Sequence, residues 1–139
     1  MRVMAIDYGA KAIGVAISDE LRLTVRPLPT IRRHRRQSRN QVIAEVKSLL
    51  EEYDVAELVV GLPLRMDGSV GDAAERIKAF IAELQKTIAI PVFTQDERLT
   101  SYEADEMMRE LGFDQQKRKE KSDEYAAAII LREYLESHR

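Results

Sequence analysis

The chain contains no cysteine and no tryptophan, and only two of its 139 residues are histidine. Without cysteine there is no disulfide scaffold, no thiolate metal site and no cysteine nucleophile. His34 and His138 lie far apart in the sequence, which leaves little room for a zinc site or a serine–histidine relay. No apolar run approaches the roughly 18 residues of a membrane span, and no signal-peptide pattern follows Met1. We therefore expect a soluble, cytoplasmic protein.

Chain length and charge distribution narrow the possibilities further. A chain of 139 residues suits a single domain, 1–139, because a core usually splits only beyond roughly 250–300 residues. The net charge is −2, yet residues 1–39 hold nine Arg and Lys against three acids, a local charge of +6 that the remaining residues offset with −8. This asymmetry indicates a surface for a polyanion, although a solvated basic loop at 32–39 is an equally good explanation of the run itself.

The hydrophobic pattern predicts strands and helices in the order βββαβαβαα. A three-stranded antiparallel meander opens the chain, and its half-exposed third strand covers 21–28 and is ended by Pro27 and Pro29. Ser38 and Gln41 have the spacing of a helix capping box, and Ser122 is the expected N-cap of the last helix. The helix–strand alternation after the meander predicts an α/β fold with a five-stranded mixed sheet, whose last two strands run parallel to the first.

Three acidic residues fall where this topology brings chain segments together. Asp7 follows the first buried strand, Glu97 lies just past the fifth strand, and Asp123 begins the last helix. The carboxyl edge of such a sheet is where ligands bind. Each acid also has an ordinary structural explanation: a turn-starting aspartate, an ion pair with Arg98, and a favourable charge at a helix N-terminus, respectively.

These ordinary explanations do not account for the expected closeness of the three acids. Two carboxylates ~4 Å apart repel by roughly 4 kcal/mol at an effective dielectric of 20, so a cation or a shared proton is needed to hold them together. Without cysteine or a nearby histidine the ligands are hard oxygens, which suit Mg²⁺ or Mn²⁺. Two such ions can activate a water and stabilise the leaving oxygen of an in-line displacement, as phosphodiester cleavage requires.

Four sequence blocks resemble the YqgF family, which has a ribonuclease H-like fold and is described as pre-16S rRNA nucleases and as Holliday-junction-resolvase-like. These blocks are Ile6-Asp7-Tyr8-Gly9-Ala10-Lys11 with the following Ile13-Gly14-Val15-Ala16, Gly61-Leu62-Pro63-Leu64 with Met66-Asp67-Gly68-Ser69, Asp96-Glu97-Arg98-Leu99-Thr100-Ser101, and the helix from Asp123 to Leu135. They occur in the family's order and span nearly the whole chain. The second and third blocks are specific, whereas the first alone is weak.

The resemblance implies that Asp7, Glu97 and Asp123 are the metal-binding and catalytic acids. Under this hypothesis Asp7 bridges the metal ions, and Glu97 and Asp123 complete their coordination. The resemblance also implies an endonuclease that matures the 5′ end of 16S rRNA. One position departs from the family pattern, because Ala12 stands where the family usually has Arg.

Several neighbouring residues are candidates for substrate binding. Lys11 and Arg98 could contact phosphate, and Gly9 could allow close backbone approach, although a hairpin lysine, an ion pair with Asp96 or Glu97, and a tight turn explain them as well. Tyr8 could stack on a base or be buried.

Rival functions remain open at this point. One alternative is a Holliday junction resolvase, for which a homodimer rather than a monomer would suit a two-fold junction. Another is a catalytically weak nucleic-acid-binding module. Asp7-Tyr8-Gly9 before an apolar hairpin also resembles the first phosphate motif of actin-like kinases, but that fold needs two such domains and 139 residues cannot supply both.

Overall fold

A computed structural model describes residues 1–34, 37–98 and 100–139. Arg35 and Arg36 of the basic run, and Leu99 of the third sequence block, lie outside the described residues. The elements follow one another as β1 (Arg2–Tyr8), β2 (Ala12–Ser18), β3 (Val25–Arg32), α1 (Arg39–Glu52), β4 (Val55–Leu62), α2 (Asp72–Gln85), β5 (Val92–Asp96), α3 (Thr100–Glu110) and α4 (Gln115–Ser137). Among these described helices, none is long and apolar enough to cross a bilayer.

The strands form one five-stranded mixed sheet in the order β3-β2-β1-β4-β5. β2 is antiparallel to both β1 and β3, whereas β4 is parallel to β1 and β5 is parallel to β4. The predicted α/β class, with a meander followed by two parallel strands, is therefore confirmed. Because β1, β4 and β5 are parallel, their carboxyl ends meet at one edge of the sheet, with β1 in the middle.

Alternate residues of β1 face two different helical layers. Met4 and Ile6 pack in the core that contains the buried residues of α1 and α2, whereas Val3 and Ala5 pack in the core built with α4. Because side chains alternate along a strand, Asp7 continues the series of Val3 and Ala5 towards α4, and the next side chain points to the α2 side. The carboxyl edge of the sheet thus has two faces, one towards α4 and one towards α2.

The third strand lies further along the chain than predicted. β3 spans Val25–Arg32 and includes both Pro27 and Pro29, while Leu21 and Leu23 precede it and are exposed. The prediction that the prolines end the strand is wrong because β3 is the outer strand of the sheet. An outer strand has an unpaired side, where the missing N–H of proline costs no ladder hydrogen bond.

The last helix begins earlier than Ser122. α4 starts at Gln115, and the side chain of Asp114 caps it by accepting a hydrogen bond of 2.8 Å from the Lys117 N–H. The basic stretch before Ser122 is therefore the first part of the helix, and Asp123 lies inside α4 rather than in its first turn. A helix-dipole explanation for Asp123 is removed, because that effect fades within one turn of the N-terminus.

The predicted capping box of α1 is present. The Ser38 side chain accepts a hydrogen bond from the Gln41 N–H at 3.2 Å, and the Gln41 side chain accepts one from the Ser38 N–H at 2.8 Å. These two contacts satisfy N–H groups that have no partner within the helix.

Replacing Ser38→Ala is expected to lower the free energy of unfolding by about 1 kcal/mol, because an uncapped helix N-terminus is left behind. Urea denaturation measures the loss. The matched control is Ser48→Ala at an exposed position in the interior of the same helix, which is expected to be neutral or slightly stabilising. Equal losses in both variants would contradict the capping assignment.

Candidate active site at the sheet edge

Asp7 occupies the centre of the candidate site. It lies next to the end of β1, where it pairs with Gly14 of β2. Burial raises the pKa of the Asp7 carboxyl, a hydrogen bond from Glu97 partly offsets this rise, and the negative charge of Asp123 adds to it. A buried aspartate between two other acids is a costly arrangement unless something else is gained from it.

Glu97 approaches Asp7 from the far side of β4. It directly follows β5, and its N–H donates a hydrogen bond of 3.2 Å to the Leu62 carbonyl of β4. Burial raises the pKa of Glu97 to about 8, and the charge of Asp7 and a hydrogen bond to Asp7 act in the same direction. A pKa of about 8 favours the protonated form of Glu97 at neutral pH, and in that form its carboxyl O–H donates a hydrogen bond to the Asp7 carboxylate.

Two glycines flank Asp7 on the neighbouring strands and leave room for the other two acids. A β-carbon on Gly61 of β4 would lie 2.6 Å from Oε2 of Glu97 and 2.5 Å from Cδ1 of Ile130. A β-carbon on Gly14 of β2 would overlap the backbone carbonyl of Asp123 in α4. Both glycines lie in the predicted blocks, but the sequence carries no signal of this role, because it depends on what packs above each strand.

Asp123 shares a cleft with Asp7. The cleft has a volume of about 520 Å³ and lies between β1, α3 and α4. Asp7 and Asp123 form part of its wall, and the negative charge of Asp123 is close enough to raise the pKa of Asp7. The three acids that the sequence singled out therefore lie at one edge of the sheet.

Oxygen donors of this kind suit a hard divalent cation. The carboxyl groups of Asp7 and Glu97 are hydrogen-bonded to each other, and either a proton or a cation can offset the repulsion between two such groups. Over residues 1–34, 37–98 and 100–139, however, no three His, Asp or Glu side chains already form a group with metal-holding geometry. The pair fits a divalent ion, and coordination by Asp123 stays a prediction.

The wall of the cleft also carries basic residues. Arg109, Arg118 and Lys119 contribute to its wall. Arg109 and Arg118 both pair with Asp105, at 2.8 Å and 3.0 Å. The pair with Arg118 links α3 to α4, whereas the pair with Arg109 lies within α3. The exposed Lys119 has no ion pair among the described residues, which leaves its charge for a ligand.

The three predicted substrate-binding residues have different surroundings. Lys11 is exposed in the β1–β2 turn. Gly9 makes that turn, with its N–H donating to the Ala12 carbonyl at 3.1 Å. Arg98 pairs with Asp96 at 2.7 Å, rather than with Glu97, and donates a hydrogen bond of 3.1 Å to the Met66 carbonyl. Phosphate contacts by these residues remain predictions, and for Arg98 the ion-pair alternative is the one observed.

Tyr8 has neither face free for a nucleic-acid base. Its ring lies 4.2 Å from the ring of Phe80 in α2, and the guanidinium of Arg33 covers it at 4.7 Å. The stacking role considered for Tyr8 is therefore wrong, because both faces are already occupied within the protein. Arg33, a residue of the basic run with no assigned role in the sequence, is instead held beside the site.

Comparisons with known proteins identify similar chains. Residues 1–137 match the family described as RuvX: Holliday junction resolvase. A protein of Lachnospira eligens named "Putative pre-16S rRNA nuclease" is 42% identical over 137 residues, covering 99% of this chain and 98% of its own. A protein of the same name from Roseiflexus sp. is 44% identical over 138 residues, covering 99% and 96%.

A solved structure supports the fold independently of close sequence similarity. Thermus thermophilus RuvC in complex with a Holliday junction substrate superimposes with a TM-score of 0.62 at 17% identity, covering 99% of this chain and 95% of that one. At this level of identity the likeness concerns the fold, which is ribonuclease H-like.

Without divalent ions, the Glu97 proton is expected to make stability depend on pH. Glu97 keeps its proton up to a pKa of about 8 in the folded state but loses it near 4.5 when unfolded. The stabilisation that comes from the Glu97 proton is therefore complete below about pH 4.5 and is lost as the pH rises towards 8. In buffers containing EDTA, the melting temperature should fall by several degrees between pH 5 and pH 8, and Glu97→Gln should flatten that fall.

Glu133→Gln is the control for this measurement. Burial and a hydrogen bond that Glu133 donates to Glu103 raise the pKa of Glu133 to about 7. Glu133 therefore contributes to the pH dependence of stability without contacting Asp7. The site assignment requires that Glu97→Gln changes the slope more than Glu133→Gln does. A Glu97→Gln protein with the native pH dependence would contradict it.

Gly61→Ala is expected to separate Glu97 from Asp7. The new methyl group collides with Glu97 and Ile130 and should cost about 1–3 kcal/mol in urea denaturation. Adding Ile130→Val removes Cδ1 and should restore part of this stability. It should not restore the native pH dependence of melting, because the collision with Glu97 remains. Native pH dependence in Gly61→Ala would show that the glycine is not needed for the contact.

Proposed function

This chain belongs to the RuvX (YqgF) family, and from that premise we propose that it is a divalent-metal-dependent endonuclease that processes the 5′ end of pre-16S rRNA in the cytoplasm. Two relatives named as pre-16S rRNA nucleases are similar to this chain over almost their whole length. The observation that carries the chemistry is the close approach of the Asp7 and Glu97 carboxyl groups at the sheet edge beside Asp123.

In this proposal the three carboxylates hold Mg²⁺ or Mn²⁺. When bound, such ions activate a water and stabilise the leaving oxygen of a phosphodiester. The protein must first release the proton that Glu97 donates to Asp7, since carboxylates coordinate metals in their ionised form. Asp7 is then the central ligand because it lies between the other two acids.

The remaining residues of the cleft position the substrate. Lys119 at its mouth and Lys11 in the nearby turn are exposed cations that can contact backbone phosphates. The Arg109–Asp105–Arg118 network keeps α3 against α4 and so fixes the width of the cleft. These contacts bind a nucleic-acid strand without reading its bases.

Four-way DNA junctions are the second candidate substrate. The matching family is described as a Holliday junction resolvase, and the RuvC structure with the same fold contains a junction. A homodimer would place two such sites symmetrically about the two-fold axis of a junction, whereas a monomer suffices for a single cut in an RNA precursor.

Asp7→Asn, Glu97→Gln and Asp123→Asn are each expected to reduce cleavage by at least about 100-fold, because each removes a charged oxygen ligand. The assay incubates the native protein and each variant with a 16S precursor fragment and with a four-way DNA junction, in EDTA, Mg²⁺ or Mn²⁺. Products are resolved on denaturing gels. Cleavage of the RNA alone supports precursor processing, and cleavage of the junction alone supports the second candidate.

The matched control is Glu136→Gln, which removes an exposed carboxylate from the same helix that carries Asp123. It should cleave at the native rate. Cleavage that persists in Asp7→Asn would show that the reaction comes from elsewhere, and tight binding with no cleavage in any metal would favour a binding module.

A further inference from the structure

A second cleft lies at the same end of β1 but on the opposite face of the sheet. It has a volume of about 520 Å³, and its wall contains Tyr8 and Gly9, the residues that follow Asp7. Tyr8 points towards α2, whereas Asp7 points towards α4. A strand of nucleic acid that leaves the acidic site over the end of β1 therefore enters this second cleft directly.

Three arginines from separate elements converge on the second cleft. Arg33 follows β3, Arg39 opens α1, and Arg76 lies in α2. None of them has an ion pair within 4.0 Å among the residues that the structure describes. The two acids in the first turn of α2, Asp72 and Glu75, are not part of the wall. Like charges brought together without a counter-charge repel, so this arrangement favours an anionic ligand.

Arg33 is fixed in place before any ligand binds. Its Nη1 donates a hydrogen bond of 3.0 Å to the Gly9 carbonyl, and its guanidinium lies on the Tyr8 ring. Tyr8 is in turn supported by Phe80. A guanidinium held this way loses little rotamer entropy on binding, and its remaining N–H groups can form the paired hydrogen bonds that phosphate oxygens accept.

The floor of the cleft suits a phosphate better than a base. Pro63, Ala73 and Ile77 provide its apolar part, and the aromatic ring of Tyr8 in its wall is covered by Arg33. The N-terminus of α2 carries no side-chain cap among the described residues, but Asp72 and Glu75 in its first turn offset the positive end of the helix dipole. The positive charge of the cleft therefore comes from its arginines. With its aromatic face covered, this surface recognises charge and leaves bases unread.

We propose that Arg33, Arg39 and Arg76 form a phosphate subsite that binds the substrate strand on the α2 side of the sheet edge while the scissile bond lies at the acids on the α4 side. This inference rests on the proposed nuclease function for the identity of the strand. The subsite sets how far the cleaved bond lies from the anchored phosphate. That phosphate is either an internal one or the 5′-terminal one.

The test measures binding in EDTA, where no metal-dependent cleavage occurs. Fluorescence anisotropy follows a labelled single-stranded RNA at several salt concentrations, for the native protein and for Arg39→Ala/Arg76→Ala. Affinity should fall roughly tenfold, and the slope of log affinity against log salt should become shallower by about 0.7 for each phosphate that the variant no longer neutralises. Both residues are exposed, so the variant should melt like the native protein.

The matched control is Lys47→Ala/Lys78→Ala, which removes the same charge from exposed positions on the same two helices, outside the cleft. It should bind with nearly native affinity. Equal weakening in both double variants would overturn the subsite, because net charge alone would then explain the loss. Native affinity in Arg39→Ala/Arg76→Ala, or no measurable binding by the native protein, would overturn it as well.

Two further arms complete the design. The RNA is used with and without a 5′-phosphate: an arginine-dependent loss that is the same for both supports an internal phosphate, and one confined to the phosphorylated RNA supports the terminal phosphate. Asp7→Asn should bind with the native salt slope yet not cleave. If binding depends on the arginines but no metal supports cleavage, the nuclease function is contradicted and the subsite is supported. If cleavage depends on metal but binding does not depend on the arginines, the subsite is contradicted and the nuclease function is supported.

Discussion

The close approach of three carboxyl groups depends on the absence of a side chain at two positions. Gly14 and Gly61 flank Asp7 on the strands to either side, and a single methyl group at either one would collide with the backbone at Asp123 or with Glu97. Because a packed interior cannot absorb such an overlap cheaply, the geometry of the acids follows from the sheet itself. Burial raises the pKa of both carboxyl groups, and the hydrogen bond between them holds two oxygens close together at this edge.

The edge of the sheet presents opposite charges on its two faces. The α4 face carries the acids together with Arg109, Arg118 and Lys119, and the α2 face carries Arg33, Arg39 and Arg76. Alternation of side chains along β1 produces this division, since Asp7 and Tyr8 are neighbours in sequence and point in opposite directions. A polyanion could therefore be anchored on one face and cut on the other, without like charges of protein and substrate meeting at the anchor.

Sequence reasoning succeeded where the local pattern and the topology agreed. The mixed sheet and the directions of its strands followed from a short hairpin and two helical crossovers, and the convergence of Asp7 and Glu97 followed from parallel strands ending at one edge. It failed at Pro27 and Pro29, because a strand's position in the sheet decides whether proline is tolerated, and at Ser122, because a polar helical turn lacks the apolar periodicity that marks a helix.

By itself the sequence determined the elements, the family resemblance and the donor chemistry, since the order of hydrophobic runs and a chain without cysteine leave few choices. Tertiary structure decided which residues surround the acids. Three features depend on contacts between distant segments. Gly61 leaves room for Glu97, Phe80 and Arg33 pack on the Tyr8 ring, and three arginines line one cleft. Spacing along the chain encodes the period of a helix or strand, but the close packing of separate elements is fixed only when the whole core forms.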